Sequence, residues 1–188
     1  MRNMKTSRVI LAAVLLMSLS VNVTLFCIHY GKQVHGKSVA VNQFHVVFSP
    51  KGGCTKVIVD EIALAKKSIF VQAYSFTSKP LATALAEAKA RGVNVRVILD
   101  RSQEGNEWSV LGYLKSHKVP VLIDSKHPIA HNKIMIIDDG VVITGSFNFT
   151  KQAEEGNAEN LVILRSEQAV NEYWTNWKTH ADHSKKPE

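Results

Sequence analysis

Four polar side chains in the second half of the chain have the types and the spacing required for phosphoryl transfer. His131 and Lys133 lie two residues apart, and Ser146 and Asn148 have the same spacing. A neutral imidazole can attack phosphorus and form a covalent intermediate. An ammonium, a hydroxyl and a carboxamide can hold the non-bridging oxygens, where negative charge builds during the reaction. This set predicts cleavage of a phosphodiester with no metal ion and no cofactor.

The sequence around these residues predicts that the four groups converge. Two apolar runs, 133–137 and 141–144, are joined by residues 138–140, and an Asp-Gly turn between such runs is a strong hairpin signal. Side chains two apart on a strand share a face, so the hairpin brings the two polar pairs side by side. Asn148 has an alternative interpretation as the N-cap of a short helix.

The full spacing, H-x-K-x-x-x-x-D followed by G-S-x-N, resembles the signature of the phospholipase D superfamily. It includes Asp138 and Gly145, which we expect to be structural, since the Asp138 side chain falls beside the turn on the face opposite His131. Segments 48–78 and 94–100 are similar to those of small bacterial endonucleases in this superfamily, and the resemblance covers about residues 44–177. The lipid-cleaving phospholipases D are similar only in the signature, which they carry twice in a longer chain.

The resemblance implies two further features of the site. In small nucleases of this kind, a glutamate at the spacing of Glu159 orients the nucleophilic histidine. A single signature also supplies one histidine, whereas the reaction needs a second group to protonate the leaving oxygen and then activate water. We therefore expect a homodimer, in which His131 of each subunit reaches one phosphate across a two-fold axis.

Strand and helix patterns alternate along the rest of the chain, which predicts an α/β fold: an α/β/α sandwich around a mixed β-sheet. Predicted strands cover 44–48, 68–74, 94–100, 119–123, 133–137, 141–144 and 158–164. Predicted helices cover 55–67, 80–91, 108–116 and 168–180. Pro120 places its strand near an edge of the sheet, because proline cannot donate a ladder hydrogen bond.

The residues before this domain carry export features. A basic start, MRNMKTSR, precedes an apolar run over 9–28, which is typical of a signal peptide and is also long enough to anchor the chain in a membrane. We expect a periplasmic or secreted protein in which residues 1–28 form either of these. A linker is predicted over 29–42, the phosphodiesterase domain over 43–180 and a loose polar tail over 181–188.

Charge favours a polyanionic partner. The chain carries 23 Lys and Arg against 16 Asp and Glu, net +7, and loss of residues 1–20 with their three basic side chains would leave +4. Four basic side chains near predicted strand ends could follow a nucleic-acid backbone, namely Lys51, Arg101, Lys126 and Lys151. The predicted function is an exported, metal-independent, nonspecific endonuclease that cleaves DNA, with RNA as the second choice, through a phosphohistidine in a homodimeric active site. The alternatives are an exported phospholipase, since phospholipids share the phosphodiester, and a non-catalytic nucleic-acid-binding protein.

Metal and thiol chemistry find little support in the sequence. It contains no HExxH motif, no DxD motif and no clustered Cys/His set, so no metal site is predicted. His35, His45 and His127 are expected to be surface or linker residues. Cys54 is the one cysteine of the predicted domain, which excludes a disulfide framework, and its place near a helix start favours packing over reactivity.

Overall fold

A seven-stranded mixed sheet forms the centre of the structure, a computed structural model that describes residues 43–188. The strands are β1 (Gln43–Ser49), β2 (Ser68–Ala73), β3 (Asn94–Asp100), β4 (Val121–Asp124), β5 (Lys133–Ile137), β6 (Val141–Gly145) and β7 (Glu159–Arg165). Their order across the sheet is β1-β7-β6-β5-β2-β3-β4. β3 is parallel to both β2 and β4, and all other neighbouring strands are antiparallel. The predicted mixed sheet is confirmed.

Five α-helices are described, and they cover both faces of the sheet. They are α1 (Cys54–Leu64), α2 (Lys79–Ala90), α3 (Leu111–Ser116), α4 (Lys151–Glu155) and α5 (Glu167–His183). Alternate residues of β3 point to opposite faces, so Val97 packs in the core with α1 and α2 whereas Ile98 packs with α5. Trp177 of α5 is buried on that second face and its Nε1 donates to the Val71 carbonyl oxygen at 3.0 Å. The predicted α/β/α sandwich is therefore confirmed.

The strand directions place one set of strand ends along the same side of the sheet, perpendicular to the outer strands β1 and β4. β5 and β7 run opposite to the other five strands. The starts of β5 and β7 consequently lie beside the ends of β1, β2, β3, β4 and β6, and we call this the site edge. The predicted hairpin is also confirmed, with Ile137 paired to Val141 across the turn. Its open end, at Lys133 and Gly145, lies on the site edge, and its turn lies at the opposite edge.

The structure differs from the sequence prediction around α3 and β4. α3 begins at Leu111 rather than at Trp108, because the Asn106 and Ser109 side chains accept hydrogen bonds from nearby backbone N–H groups and form local turns instead. β4 begins at Val121, after Pro120, and as predicted it forms an edge of the sheet.

The C-terminal residues predicted to be loose are paired instead. α5 extends to His183, three residues beyond the predicted end. Lys185 then forms an antiparallel bridge with Ile123 of β4, with N···O distances of 2.7 and 3.0 Å. The tail therefore fixes the end of α5 against the edge of the sheet.

Cys54 opens α1 and is fully buried in the core. Burial, and then the nearby Glu154 carboxylate, raise the pKa of this thiol to about 11. A thiol with a raised pKa is a poor nucleophile, which agrees with a packing role.

The predicted export segment and linker lie outside the described residues. Within 43–188, no helix is both long enough and apolar enough to cross a bilayer.

Candidate active site

Hydrogen bonds on both sides fix the chain where it enters β5. The Tyr74 backbone N–H, just after β2, donates to the Asn132 carbonyl oxygen at 2.9 Å. The buried Asp100 carboxylate, at the end of β3, accepts from the Ala130 N–H at 2.7 Å. His131 is thus held between two neighbouring strand ends, although its own side chain is exposed.

Lys133 is the buried cation of the site. Its side chain reaches back so that Nζ donates to the His131 carbonyl oxygen at 2.8 Å and lies 3.1 Å from His131 Nδ1. The ammonium also lies 5.2 Å from the centre of the Tyr74 ring. Burial lowers the pKa of Lys133, and the Glu159 carboxylate opposes that shift from beyond ion-pair distance. No ion pair links Lys133 to a carboxylate within residues 43–188.

The contact with Lys133 determines the tautomer of His131. An ammonium can only donate, so in the neutral ring Nδ1 accepts and the proton lies on Nε2. Attack through Nε2 requires the other tautomer. His131 Nδ1 can therefore carry the ring proton only when the Lys133 ammonium moves away from it.

Gly145 and Ser146 lock the end of β6 to β7. Gly145 has φ 143°, and a Cβ atom there would lie 2.3 Å from the Asn160 carbonyl oxygen. That oxygen accepts from the Ser146 and Phe147 N–H groups at 3.1 and 3.2 Å. Ser146 Oγ in turn accepts from the Asn160 N–H at 3.0 Å, which leaves the hydroxyl proton available as a donor.

Asn148 lies between two buried phenylalanines, Phe147 and Phe149, which fix its position. Its Oδ1 is buried and has no hydrogen-bond partner within residues 43–188. The N-cap of α4 is Thr150, whose Oγ1 accepts from the Ala153 N–H at 3.1 Å. The alternative interpretation of Asn148 as a helix cap is therefore wrong.

Glu159 opens β7 beside the same groups. Its Oε1 accepts from Asn157 Nδ2 at 3.0 Å, and its N–H donates to Ser49 Oγ at 3.2 Å. Among the described residues of one chain, Glu159 makes no hydrogen bond to His131. The expected orienting contact is missing because Nδ1 faces Lys133 and because the Asn157 amide binds the carboxylate.

Asp138 lies at the turn of the hairpin, at the edge opposite His131. Its carboxylate accepts from the N–H groups of Lys66, Lys67 and Ser68 at 3.0, 2.8 and 2.9 Å. Its backbone has φ 50°, a conformation that Asp tolerates better than most residues. Burial would raise the pKa of Asp138, but the three N–H groups outweigh burial and lower it. Asp138 thus ties the turn to the segment between α1 and β2.

The four basic residues predicted to bind substrate are all exposed and follow strands that end at the site edge. They are Lys51 after β1, Arg101 after β3, Lys126 after β4 and Lys151 after β6. Lys151 also lines a pocket of about 620 Å³ with Thr77, Trp108 and Glu154. Lys51, Arg101 and Lys126 are not among the residues that line this pocket.

Sequence reasoning missed several residues of this edge. Tyr74 contacts both His131 and Lys133, with its ring centre 4.6 Å from that of His131 and 5.2 Å from Lys133 Nζ. His127, expected to be a surface residue without partners, instead lies beside Asp124, His180 and His183. The expectation of no clustered histidines was therefore wrong. The signal was present only as D-x-x-H at 124–127 and H-x-x-H at 180–183, more than fifty residues apart.

Comparison with known proteins identifies the family of the chain. The family model described as "Cardiolipin synthase, PLD-like domain" matches residues 58–180. The chain belongs to this PLD-like family. A phospholipase D of Rickettsia conorii is 47% identical over 130 residues, which cover 69% of this chain and 65% of that protein. The mitochondrial cardiolipin hydrolase of Xenopus tropicalis is 36% identical over 109 residues, 58% of this chain and 52% of that one. The matched part is thus slightly less than two thirds of the length of the rickettsial relatives.

Solved structures of the superfamily share the fold. Nuc from Salmonella typhimurium, a phospholipase D family member, has a TM-score of 0.73 and 34% identity, covering 77% of this chain and 97% of that one. NucT from Helicobacter pylori has a TM-score of 0.70 at 24% identity, covering 77% and 99%. The mixed sheet and its helices are therefore the PLD-like fold, with His131 and Lys133 inside the matched region.

Proposed function

We propose that the chain is a phosphodiesterase that cleaves its substrate through a phosphohistidine at His131, with no metal ion in the chemical step. The main support for this proposal is the environment of the Lys133 ammonium. Lys133 is 7% exposed, contacts His131 and has no ion pair with a carboxylate within residues 43–188. A buried cation is costly unless it is paired. A phosphodiester supplies the missing anion directly beside the nucleophile.

Substrate binding also sets the reactive tautomer. When Lys133 Nζ moves to a non-bridging oxygen, His131 Nδ1 is free to carry the ring proton and the Nε2 lone pair can attack phosphorus. The N–P bond forms as the bond to the leaving oxygen breaks, and a general acid protonates that oxygen. Water then attacks the phosphohistidine and the N–P bond breaks, which regenerates His131, while the same group, now a base, accepts the proton from water. Lys133, the Ser146 hydroxyl and the Asn148 amide hold the oxygens that gain charge.

The acid and base is proposed to be His131 of a second copy. Within residues 43–188, His131 is the one histidine that contacts Lys133, while His127, His180 and His183 are grouped around Asp124. Within one chain Glu159 makes no hydrogen bond to His131. Dimer formation would let a contact from the second copy orient each histidine. A two-fold axis through the open end of the hairpin would bring the two histidines to opposite sides of one phosphate.

Nucleic acid is the proposed substrate. Four exposed basic side chains follow strand ends at the site edge, and a backbone lying along that edge would meet them without any reading of bases. Phospholipid is the second candidate. Ile129 and Trp108 are 57% and 74% exposed in loops of the same edge, and apolar side chains there favour a lipid. The proteins similar to this chain include some named for phospholipid substrates.

Substrate assays with the purified chain test this proposal. Plasmid DNA, RNA and phosphatidylcholine vesicles are incubated with wild type and with His131→Asn in excess EDTA. We expect cleavage of nucleic acid by wild type alone, with a phosphoryl-linked nucleic-acid fragment on His131 detected by mass spectrometry under alkaline quench. Cleavage of vesicles alone would support the second candidate. Binding without cleavage, or activity abolished by EDTA and restored by Mg²⁺, would contradict the proposed chemistry.

Subunit exchange tests the shared site. Wild type is mixed with an excess of His131→Asn under conditions in which subunits exchange. If two copies build one site, activity falls as the square of the wild-type fraction. A fall in simple proportion to that fraction, or a fully active monomer by light scattering, would contradict the dimer.

We also propose export through residues 1–28, on the basis of the basic start and apolar run. Fractionation of the native host should find the protein outside the cytoplasm. A mature N-terminus near Val21 would identify a cleaved peptide, and an intact Met1 in the membrane fraction would identify an anchor. Full-length protein in the cytosol would contradict both.

A further inference from the structure

We propose that Asp124, His127, His180 and His183 form a binding site for a divalent transition-metal ion, with Zn²⁺ as the best match. This metal cluster, as we call the four residues, belongs to the end of β4, the loop after it and the end of α5. It is separate from the phosphodiester site in its residues and in its chemistry. Its proposed role is to fasten the C-terminal helix to the loop that leads to His131.

The ligand atoms already converge on one point. His180 Nδ1, His127 Nδ1 and His183 Nε2 lie 2.7, 3.1 and 3.2 Å from the same oxygen, Asp124 Oδ2. The four possible ligand atoms all lie within 4.8 Å of one another. Tetrahedral Zn²⁺ with bonds of about 2.1 Å holds its ligands about 3.4 Å apart. Small side-chain rotations would therefore bring the cluster to coordination geometry.

Hydrogen bonding alone does not satisfy these groups. Asp124 Oδ1 accepts from the Lys126 N–H at 3.1 Å and lies 3.2 Å from His127 Nδ1, while Oδ2 faces three ring nitrogens. An oxygen has two lone pairs, and three donors exceed them. His183 Nε2 is buried and makes no hydrogen bond within residues 43–188, although it lies near Oδ2. A metal ion would use the lone pair of each nitrogen instead of requiring a proton on it.

The backbone holds the ligands in place without help from a metal. Asp124 ends β4 and its side chain is fully buried. His180 and His183 are three residues apart on α5 and so share a helix face. The bridge between Lys185 and Ile123 holds that end of α5 against β4. Such preorganisation is what separates a binding site from a chance meeting of side chains.

Exposure gives the ion a way in. The His127 side chain is 42% exposed, against 13% for His180 and 17% for His183. An ion can therefore reach the cluster past His127, and His127 would close the site last. Three nitrogens and one oxygen fill all four tetrahedral positions, which is the pattern of a structural zinc site rather than a catalytic one.

The position of His127 gives the metal its proposed effect. His127 lies four residues before His131, and Asp100 holds Ala130 between them. Binding of an ion would fix the first half of this loop as Asp100 fixes the second. Metal binding should therefore raise thermal stability and order the loop while taking no part in the reaction at phosphorus.

Metal titration tests the site. The full chain, purified without a histidine tag, is stripped with a chelator and titrated with Zn²⁺ by calorimetry. We expect one ion per chain, a higher Tm when loaded, and the visible absorption of tetrahedral Co²⁺ when Co²⁺ replaces Zn²⁺. His127→Ala is the main variant, because its exposure makes the fold tolerant, and His180→Ala is the second. Each should weaken Zn²⁺ binding by at least about 10-fold, a loss that even outer-shell changes produce.

The control is His45→Ala, an exposed histidine of β1 that lies outside the cluster. It should bind Zn²⁺ as wild type does. Circular dichroism of each stripped variant reports whether it folds. Absence of stoichiometric binding by wild type would overturn the proposal. So would folded His127→Ala and His180→Ala proteins that bind as tightly as the control. Phosphodiesterase activity is not a readout here, so either proposal can fail without the other.

Discussion

The two ends of the β5–β6 hairpin use polar residues in opposite ways. At the turn, the Asp138 carboxylate accepts three backbone N–H groups. At the open end, the Lys133 ammonium has no ion pair and the buried Asn148 Oδ1 has no hydrogen bond within residues 43–188. One signature therefore contains residues that the fold satisfies and residues that it leaves without an ion pair or a hydrogen-bond partner. Whether a charge has a counter-charge or hydrogen-bond donors around it, and whether a buried polar atom has a partner, separates the two kinds better than sequence position.

The largest effect is expected at the open end. His131→Asn removes the proposed nucleophile and should lower turnover by about a thousandfold or more. Its side chain is exposed, so the free energy of unfolding should change by less than about 0.5 kcal/mol. Turnover and urea unfolding measure both. The matched control is Asp139→Asn at the turn, an exposed residue paired with Lys67, which should retain full turnover. A His131→Asn protein with a tenth of wild-type turnover would remove the distinction between the two ends.

Gly145→Ala should disturb stability and activity together, since Gly145 supports the open end. An added Cβ meets the Asn160 carbonyl at 2.3 Å, in a backbone conformation with φ 143°. The strained conformation alone costs about 1–3 kcal/mol, and the shift of the backbone would move Ser146 and Asn148. Thermal unfolding and turnover are the measurements. Gly140→Ala, at the turn with open space around the position of its Cβ, should be close to wild type. Equal behaviour of the two variants would contradict this assignment.

Asp138→Asn should affect stability without affecting chemistry. Asn tolerates the same backbone conformation but cannot accept all three N–H groups, so we expect a loss of about 1–3 kcal/mol at neutral pH. The folded-state pKa of Asp138 is lowered, so its stabilisation is present above the ordinary Asp pKa of about 3.9 and is lost as pH falls through the folded-state pKa. The difference in the free energy of unfolding between wild type and Asp138→Asn should therefore become smaller in acid. Urea unfolding at a series of pH values measures this difference. A difference that becomes larger in acid would contradict the stabilising role of the Asp138 carboxylate.

The smallest expected effect is a shift in the pH dependence of inhibition by sulfate. Burial lowers the pKa of Lys133 and Glu159 partly offsets this, so Glu159→Gln should lower the pKa of Lys133 further. Inhibition by sulfate, whose charge does not change in alkaline solution, should weaken as Lys133 loses its proton. That weakening should begin at lower pH in Glu159→Gln than in wild type. The control is Glu87→Gln, an exposed residue of α2. A shift to higher pH, or none, would contradict the electrostatic link.

Local patterns made the hairpin and its polar pairs predictable. Residues 131–148 contain the alternation, the turn and the spacing that place their own side chains. The metal cluster was not predictable in this way, because Asp124 and His180 meet only when α5 packs across the sheet. Tyr74 is a similar case, since its contact with His131 depends on the pairing of β2 with β5. The bridge that Lys185 makes could not be predicted from the helix pattern either, because its partner, Ile123, lies 62 residues earlier.

The bridge between Lys185 and Ile123 has a consequence for solubility. β4 is a terminal strand of the sheet, and exposed strand edges are templates for pairing with other chains. Lys185 occupies both the N–H and the carbonyl of Ile123, at the middle of a strand only four residues long. The central backbone groups of β4 are therefore already hydrogen-bonded and are not available to a strand of another chain. A chain that lacked residues 184–188 would offer this edge for intermolecular pairing and would aggregate more readily.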